Sequence, residues 1–345
     1  MGRVYKAVHR PMDRVVALKI LAPQSIDGAL AQQLFRHEIR AAAQLNHPHI
    51  VMAFDANEHK GRHFLAMEFV DGPNLEQYVH EQDPLPIGLA CEIIFQAANG
   101  LQHSHEKGVV HRDIKPANLL LQREPGSTTI QVKILDFGLA RLRYRRKNTA
   151  VSPALMGTPD YLAPEQAHDV NEADVRSDLY SLGCTFYFLL TGQVPFPDGN
   201  VVHKLNRHDR EQATPVETLR PDVPKNIANV VRKLMAKNPA DRFQTPDELM
   251  EVLAPHADPT ITAWQTKRST MELACNKPTV LQDSQADTEP QAHGSTPIDD
   301  HDSLLEWVKT NRRQRDLARR KMLSAVGILS GLALGIVGLI TWGFM

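Results

Sequence analysis

The chain has 345 residues with 39 basic and 40 acidic side chains, a net charge of −1, so no basic excess points to nucleic acid. Its length exceeds one average domain. Its three cysteines, Cys91, Cys184 and Cys275, are far apart, odd in number and without metal-ligand spacing, which argues against a disulfide framework or a cysteine–metal site and suggests a reducing compartment.

In chain order, Val15 to Leu21 is an apolar run interrupted by Lys19, a strand pattern. From about Ala29 to Leu45, Leu34, Ile39, Ala42 and Leu45 recur at helical spacing around Glu38. Asn46 to Val51 reads as a turn. His63 to Val70 reads as a strand ending at the breaker Asp71-Gly72-Pro73. Residues 88–107 carry Ala90, Ile93, Ile94, Ala97 and Leu101 at helical spacing. His103 and His105 lie at the end of that helix, with no carboxylate or cysteine set to complete a metal site. Leu119 to Leu121 and the alternation from Ile130 to Leu135 predict two short strands. Arg141, Arg143, Arg145, Arg146 and Lys147 then make a strongly basic stretch, read either as a solvated loop or as charges that hold a phosphate or favour acidic substrates.

Composition changes twice near the C-terminus. Residues 254–302 are rich in Thr, Asp, Gln, Pro, Ala and His with few large apolar residues, which predicts a disordered linker. Residues 303–321 form a basic segment ending in Arg312, Arg313, Arg315, Arg319, Arg320 and Lys321. Residues 322–345 then carry no charge over 24 positions, about 36 Å as a helix, enough to cross a bilayer. The basic side of this span predicts that residues 1–321 are cytoplasmic and that the juxtamembrane segment meets anionic lipid headgroups. Gly327, Gly331 and Gly335 share one face of the span, which suggests self-association.

The chemistry concentrates in His111-Arg112-Asp113-Ile114-Lys115-Pro116-Ala117-Asn118 and in Asp136-Phe137-Gly138, with Asp136 18 positions after Asn118. Phosphoryl transfer from ATP needs a carboxylate to orient and deprotonate a hydroxyl, oxygen ligands for a cation on the phosphates, and positive charge against the transferred group. Asp113 fits the first role, Asn118 and Asp136 the second, and Lys115 the third. The two elements together, in this order, resemble the signature of the eukaryotic-type protein kinases found in bacteria.

That resemblance covers residues 1–253 and implies a two-lobed α+β fold: a small antiparallel β lobe with one helix (1–70) and a mainly helical large lobe (71–253). It implies that Lys19 pairs with the ATP phosphates and with Glu38 in an assembled active state. It places Met67 at the gatekeeper position, the backbone of Glu68 and Val70 at the adenine edge, and Val4, Ala17 and Leu120 around the ring. It makes residues 136–165 an activation segment ending in Ala163-Pro164-Glu165. Arg112 would engage a phosphate there, Thr149 and Ser152 are candidate acceptors, and Thr158 would contact Asp113 and Lys115. Asp178 would brace the catalytic loop and Arg242 would pair with Glu165.

One departure is plain: Gly2 and Val4 match only the end of the glycine-rich loop, as if the start were assigned inside that motif. The expectation is an ATP- and Mg²⁺-dependent (or Mn²⁺-dependent) Ser/Thr protein kinase, membrane-anchored, acting on protein substrates and not on nucleic acid. A membrane-tethered scaffold with impaired ATP binding and a small-molecule phosphotransferase are the alternatives. The first leaves the intact Lys19, Glu38, Asp113, Asn118 and Asp136 unexplained; the second leaves the activation segment unexplained.

Overall fold

The structure, a computed structural model, describes residues 3–10, 13–21, 39–59, 62–82, 84–123, 129–137, 159–169 and 172–258. Gly2, Glu38, Thr149, Ser152, Thr158, residues 259–302 of the expected linker, the basic segment and the span at 322–345 lie outside these. The linker's first residues are ordered, Ala254–His256 forming a 3-10 turn and Asp258 N donating to Gly88 O at 3.3 Å. Among the described residues no helix is long and apolar enough to cross a membrane.

The first sheet contains β1 (Arg3–His9), β2 (Arg14–Ile20), β3 (Ala53–His59) and β4 (Arg62–Glu68) in the order β1-β2-β4-β3. β3 and β4 run antiparallel from Ala53 opposite Met67 to His59 opposite Arg62, with an irregularity between Ala53 and Asp55. In β4 the five residues from His63 to Met67 are buried in succession, the pattern of a strand covered on both faces. Leu65 and Met67 pack with Ala17 and Leu21, and Ile39, Val51 and Ala53 close the edge of this cluster. Residues 7–16 belong to a separate compact unit; within them Asp13 turns the chain at φ 45° and donates its amide to Arg10 O at 3.2 Å.

Beyond β4, Gly72 carries the chain across the second sheet. A Cβ there would lie 1.8 Å from Leu121 O, so only glycine allows the crossing, and Leu121 N donates to Pro73 O at 2.9 Å just beside it. That sheet is the hairpin of β5 (Leu119–Arg123) and β6 (Ile130–Ile134), paired antiparallel from Leu119 opposite Ile134 to Arg123 opposite Ile130.

Helices among the described residues include α1 (Leu75–Gln82), α2 (Ile87–Glu106), α3 (Pro164–His168), α4 (Val175–Thr191), α5 (Val201–Arg210), α6 (Val216–Leu219), α7 (Lys225–Leu234) and α8 (Pro246–Leu253), and residues 39–42 are helical as well. One hydrophobic core joins α1, α2, α4, α7, α8 and the β5–β6 hairpin. α4 is its axle: residues on every face of it are buried, which marks a helix surrounded by others. Asp174 caps its first turn by accepting Arg176 N at 2.8 Å, and Gly192 ends it at φ 72° with its amide on Phe188 O. At Gly183 a Cβ would stand 2.6 Å from the Leu234 Cβ, so glycine sets how closely α4 and α7 approach.

His208 anchors α5 to this core. It is fully buried, its Nδ1 lies 2.8 Å from the Tyr180 hydroxyl, and its ring meets Phe196 edge-on at 4.8 Å. Burial, then the facing cations Lys237, Lys204 and Arg207, lower its pKa from 6.5 to about 3. The unfolded chain therefore binds the extra proton, and the stability from this group is complete above 6.5 and is lost as pH falls toward 3. Thermal melts across that window should show a contribution of up to about 1.4 kcal/mol per pH unit from this site. His208→Asn, which does not titrate, should flatten the slope, and an unchanged slope would remove His208 as its source.

Candidate active site

The loop that carries Asp113 follows α2 and precedes β5. Arg112 sits at φ 66°, a left-handed conformation that a non-glycine residue keeps only when its surroundings enforce it. Asp178, in the first turn of α4, supplies the enforcement: Oδ2 accepts His111 N at 2.8 Å and Oδ1 accepts Arg112 N at 2.7 Å. Burial pushes the Asp178 carboxyl upward in pKa, opposed by His111 and by these two backbone donors. From the other side Gln166 Nε2, in α3, donates to Arg112 O at 3.1 Å. Thus the residue that follows Glu165 is bonded directly to the loop that carries Asp113.

His111 is fully buried and joins the loop to the turn at Asp136 and Phe137. Asp113 N donates to its Nδ1 at 3.2 Å, so its Nε2–H donates to Leu135 O at 2.6 Å. Phe137 meets the ring edge-on at 4.7 Å. Asn118 O accepts Leu135 N at 2.8 Å, a second link between the two segments.

Asp113 is held by two cationic or amide donors. Lys115 Nζ lies 3.0 Å from each of its carboxylate oxygens, and Asn118 Nδ2 donates to Asp113 O at 2.7 Å and to Oδ2 at 3.2 Å. With its amide nitrogen on Asp113, Asn118 has Oδ1 as its other side-chain polar atom, an acceptor. Asp136 takes φ 66° and forms an ion pair with Lys19. The donor set of Asn118 and Asp136 consists of hard oxygens on two segments locked together, which fits a Mg²⁺ ion carried on phosphates. Among the described residues no group of three or more His, Cys, Asp or Glu side chains forms a metal site; a cation here completes its shell from other oxygens.

The structure thus brings Lys19, Asp113, Lys115, Asn118 and Asp136 together. Lys19 pairs with Asp136, whereas the expected pairing with Glu38 falls outside the described residues. Around the expected adenine position Ala17, Met67 and Val70 are buried, Leu120 is half-buried and Val4 is 58% exposed. Glu68 directs its carboxylate away from a base: Oε1 pairs with Lys133 Nζ at 2.7 Å and Oε2 accepts Met52 N at 3.3 Å.

Glu165 and Arg242 form the expected pair, at 2.7 and 2.9 Å through both nitrogen–oxygen contacts, with Ser177 Oγ donating to Glu165 Oε1 at 2.6 Å. Burial alone would raise the Glu165 pKa, but Arg242 and Ser177 outweigh it and leave it below the usual carboxylate value. Sequence reasoning missed Gln166, Ser177 and the Glu68–Lys133 bridge. It also missed Asp160, which receives Lys204 Nζ of α5 at 2.5 Å.

A sequence model described as protein kinase domain matches residues 1–253. The serine/threonine-protein kinase PknB of Mycobacterium leprae is 38% identical over 253 residues, covering 72% of this chain and 40% of that protein. The probable serine/threonine-protein kinase PknB of Lactococcus lactis is 36% identical over 242 residues, covering 70% and 38%. The chain therefore spans about two-fifths of the length of these curated relatives. Among solved structures, the Mycobacterium tuberculosis PknI kinase domain superposes with a TM-score of 0.58 at 29% identity, covering 74% of this chain and 92% of that one.

Proposed function

Because the chain belongs to the protein kinase family, we propose that it transfers the γ-phosphoryl group of ATP to serine or threonine hydroxyls of proteins. The observation that carries this is the Asp113 carboxylate, clasped by Lys115 and Asn118 and lying in one site with the Lys19–Asp136 pair. Asp113 orients the acceptor hydroxyl and takes its proton. Lys115, already against Asp113, offsets charge on the transferred group. Lys19 holds the ATP phosphates. Asn118 and Asp136 would hold Mg²⁺, which would supply charge neutralisation at the ATP phosphates. Lysine two positions after Asp113, together with Gly157-Thr158-Pro159, supports Ser/Thr rather than tyrosine acceptors.

The adenine ring would lie between Val4, Ala17 and Leu120 beside Met67, with the backbone of Glu68 and Val70 at its edge and Gly2 over the phosphates. Phosphorylation of Thr149 or Ser152 would be read by Arg112. Residues 322–345 would anchor the chain in the membrane, with residues 303–321 on anionic headgroups and the glycine face of the span favouring a dimer.

The test is transfer of labelled phosphate from Mg-ATP to the chain itself and to a generic Ser/Thr-containing protein. The chain should be expressed as it stands and with any in-frame coding sequence upstream of Met1. Phosphoserine or phosphothreonine should appear; label in neither form, or only on tyrosine, would overturn the reading.

A further inference from the structure

We infer that His49 and Gln96 are positioning residues for Asp136, acting as a side-chain strand along the outer edge of β6. This rests on Asp136 being the metal ligand proposed above. β6 pairs with β5 on one side. On the other, Ile130, Val132 and Ile134 turn their peptide groups outward, and an uncovered strand edge of this kind must find partners.

The partners come from two side chains and one short stretch of backbone. Gln96 Nε2 donates to Ile130 O at 2.9 Å while its Oε1 accepts Val132 N at 2.7 Å. One amide thereby mimics a peptide unit of a neighbouring strand. Glu92 Oε1 accepts the other proton of Gln96 Nε2 at 2.7 Å, which fixes which way the amide faces. His49 Nδ1 lies 3.0 Å from Val132 O; a carbonyl only accepts, so the imidazole donates there. His49 O accepts Ile134 N and Val51 N donates to Ile134 O, each at 2.9 Å. The outer edge from Ile130 O to Ile134 O is thus bonded at every group.

The next two residues explain why such an edge matters. Leu135 is held by Asn118 and His111, and Asp136 then takes its left-handed φ of 66°. A non-glycine residue there costs on the order of 1 kcal/mol or more and persists only when its neighbours determine it. His49 and Gln96 fix the strand that delivers the chain into that conformation, so they set where the Asp136 carboxylate stands.

Three variants test this. His49→Leu keeps bulk without the donor, and His49→Asn keeps an amide donor near the Nδ1 position. Gln96→Glu cannot donate to Ile130 O and adds a carboxylate beside Glu92. Amide exchange of residues 135–137, read on the full chain without nucleotide, should quicken about tenfold in His49→Leu and Gln96→Glu, the size of one lost hydrogen bond. The affinity for Mn²⁺ in the presence of ADP, read by water proton relaxation, should weaken by about 10-fold in both, as when support of a metal ligand is removed. ADP affinity without metal should stay within about twofold of the parent, and His49→Asn should restore exchange and Mn²⁺ affinity alike.

Parent-like exchange or Mn²⁺ affinity in His49→Leu, or His49→Asn as impaired as His49→Leu, would overturn the role. A parent chain that binds Mn²⁺–ADP as expected yet transfers no phosphate would count against the proposed reaction alone.

Discussion

Asp113→Asn should lower the turnover number by about 10²–10⁴-fold, the range for loss of a positioned general base. The ATP KM and the melting temperature should stay nearly those of the parent. The geometry predicts this separation. An asparagine keeps one carbonyl oxygen for Lys115, which now sits 3.0 Å from both carboxylate oxygens. The backbone bond from Asn118 Nδ2 to residue 113 O does not depend on the side chain at all. What disappears is the capacity to accept the hydroxyl proton and the negative charge that Lys115 answers. Initial rates at saturating Mg-ATP, with melts on the same samples, check it. A variant that retains more than about a tenth of the parent rate would remove Asp113 as the base.

The catalytic elements were legible because their residues lie close in sequence. Asp113, Lys115 and Asn118 fall within one loop, and the loop's spacing alone brings the lysine and the asparagine onto the same carboxylate. Lys19 was linked to the site by resemblance and Asp136 by its oxygen-ligand chemistry, and the structure pairs these two distant residues directly. Asp178 was assigned to the loop of His111 and Arg112 by resemblance, and its place at a helix start would not have singled it out. Carboxylates gather at helix starts as caps, but Asp174 already caps α4, and Asp178, one turn on, turns to the catalytic loop instead.

The strand expected to run through Val70 ends at Glu68, where the Glu68 amide still reaches Met52 O but the chain begins to cross toward α1. Gln166, Gln96 and His49 were illegible for one physical reason. Each bonds a backbone group of a distant segment, and such a bond asks only for an amide or imidazole of the right reach, leaving no spacing or pattern to read.

Arg242→Ala should destabilise the fold by about 3–5 kcal/mol, the cost of breaking a buried ion pair by removing one partner, out of a total of about 5–15 kcal/mol for a typical domain. The guanidinium is fully buried and all five of its N–H groups are used. Two go to the Glu165 oxygens, and the others to Arg176 O at 2.9 Å, Ala236 O at 2.7 Å and Lys237 O at 3.0 Å. Its plane also lies 4.8 Å from the Tyr180 ring. Truncation strands three carbonyls and leaves the Glu165 carboxylate with Ser177 as its remaining side-chain donor.

The sign of the pH dependence should change with it. In the parent the Glu165 pKa lies below its ordinary value, so its contribution is present above that ordinary value and is lost as pH falls through the lowered one. Without Arg242 burial dominates, the Glu165 pKa rises, and acid should partly rescue the variant by neutralising the carboxyl. Arg242→Lys should recover little, because one ammonium cannot span both oxygens and three carbonyls. Glu165→Gln combined with Arg242→Met should recover more than either single change, since no buried charge is left unpaired. Urea unfolding of the five variants and the parent at two pH values decides it. A loss below about 1 kcal/mol for Arg242→Ala, the size of an exposed pair, would mean that the Glu165–Arg242 bond does not hold the large lobe closed.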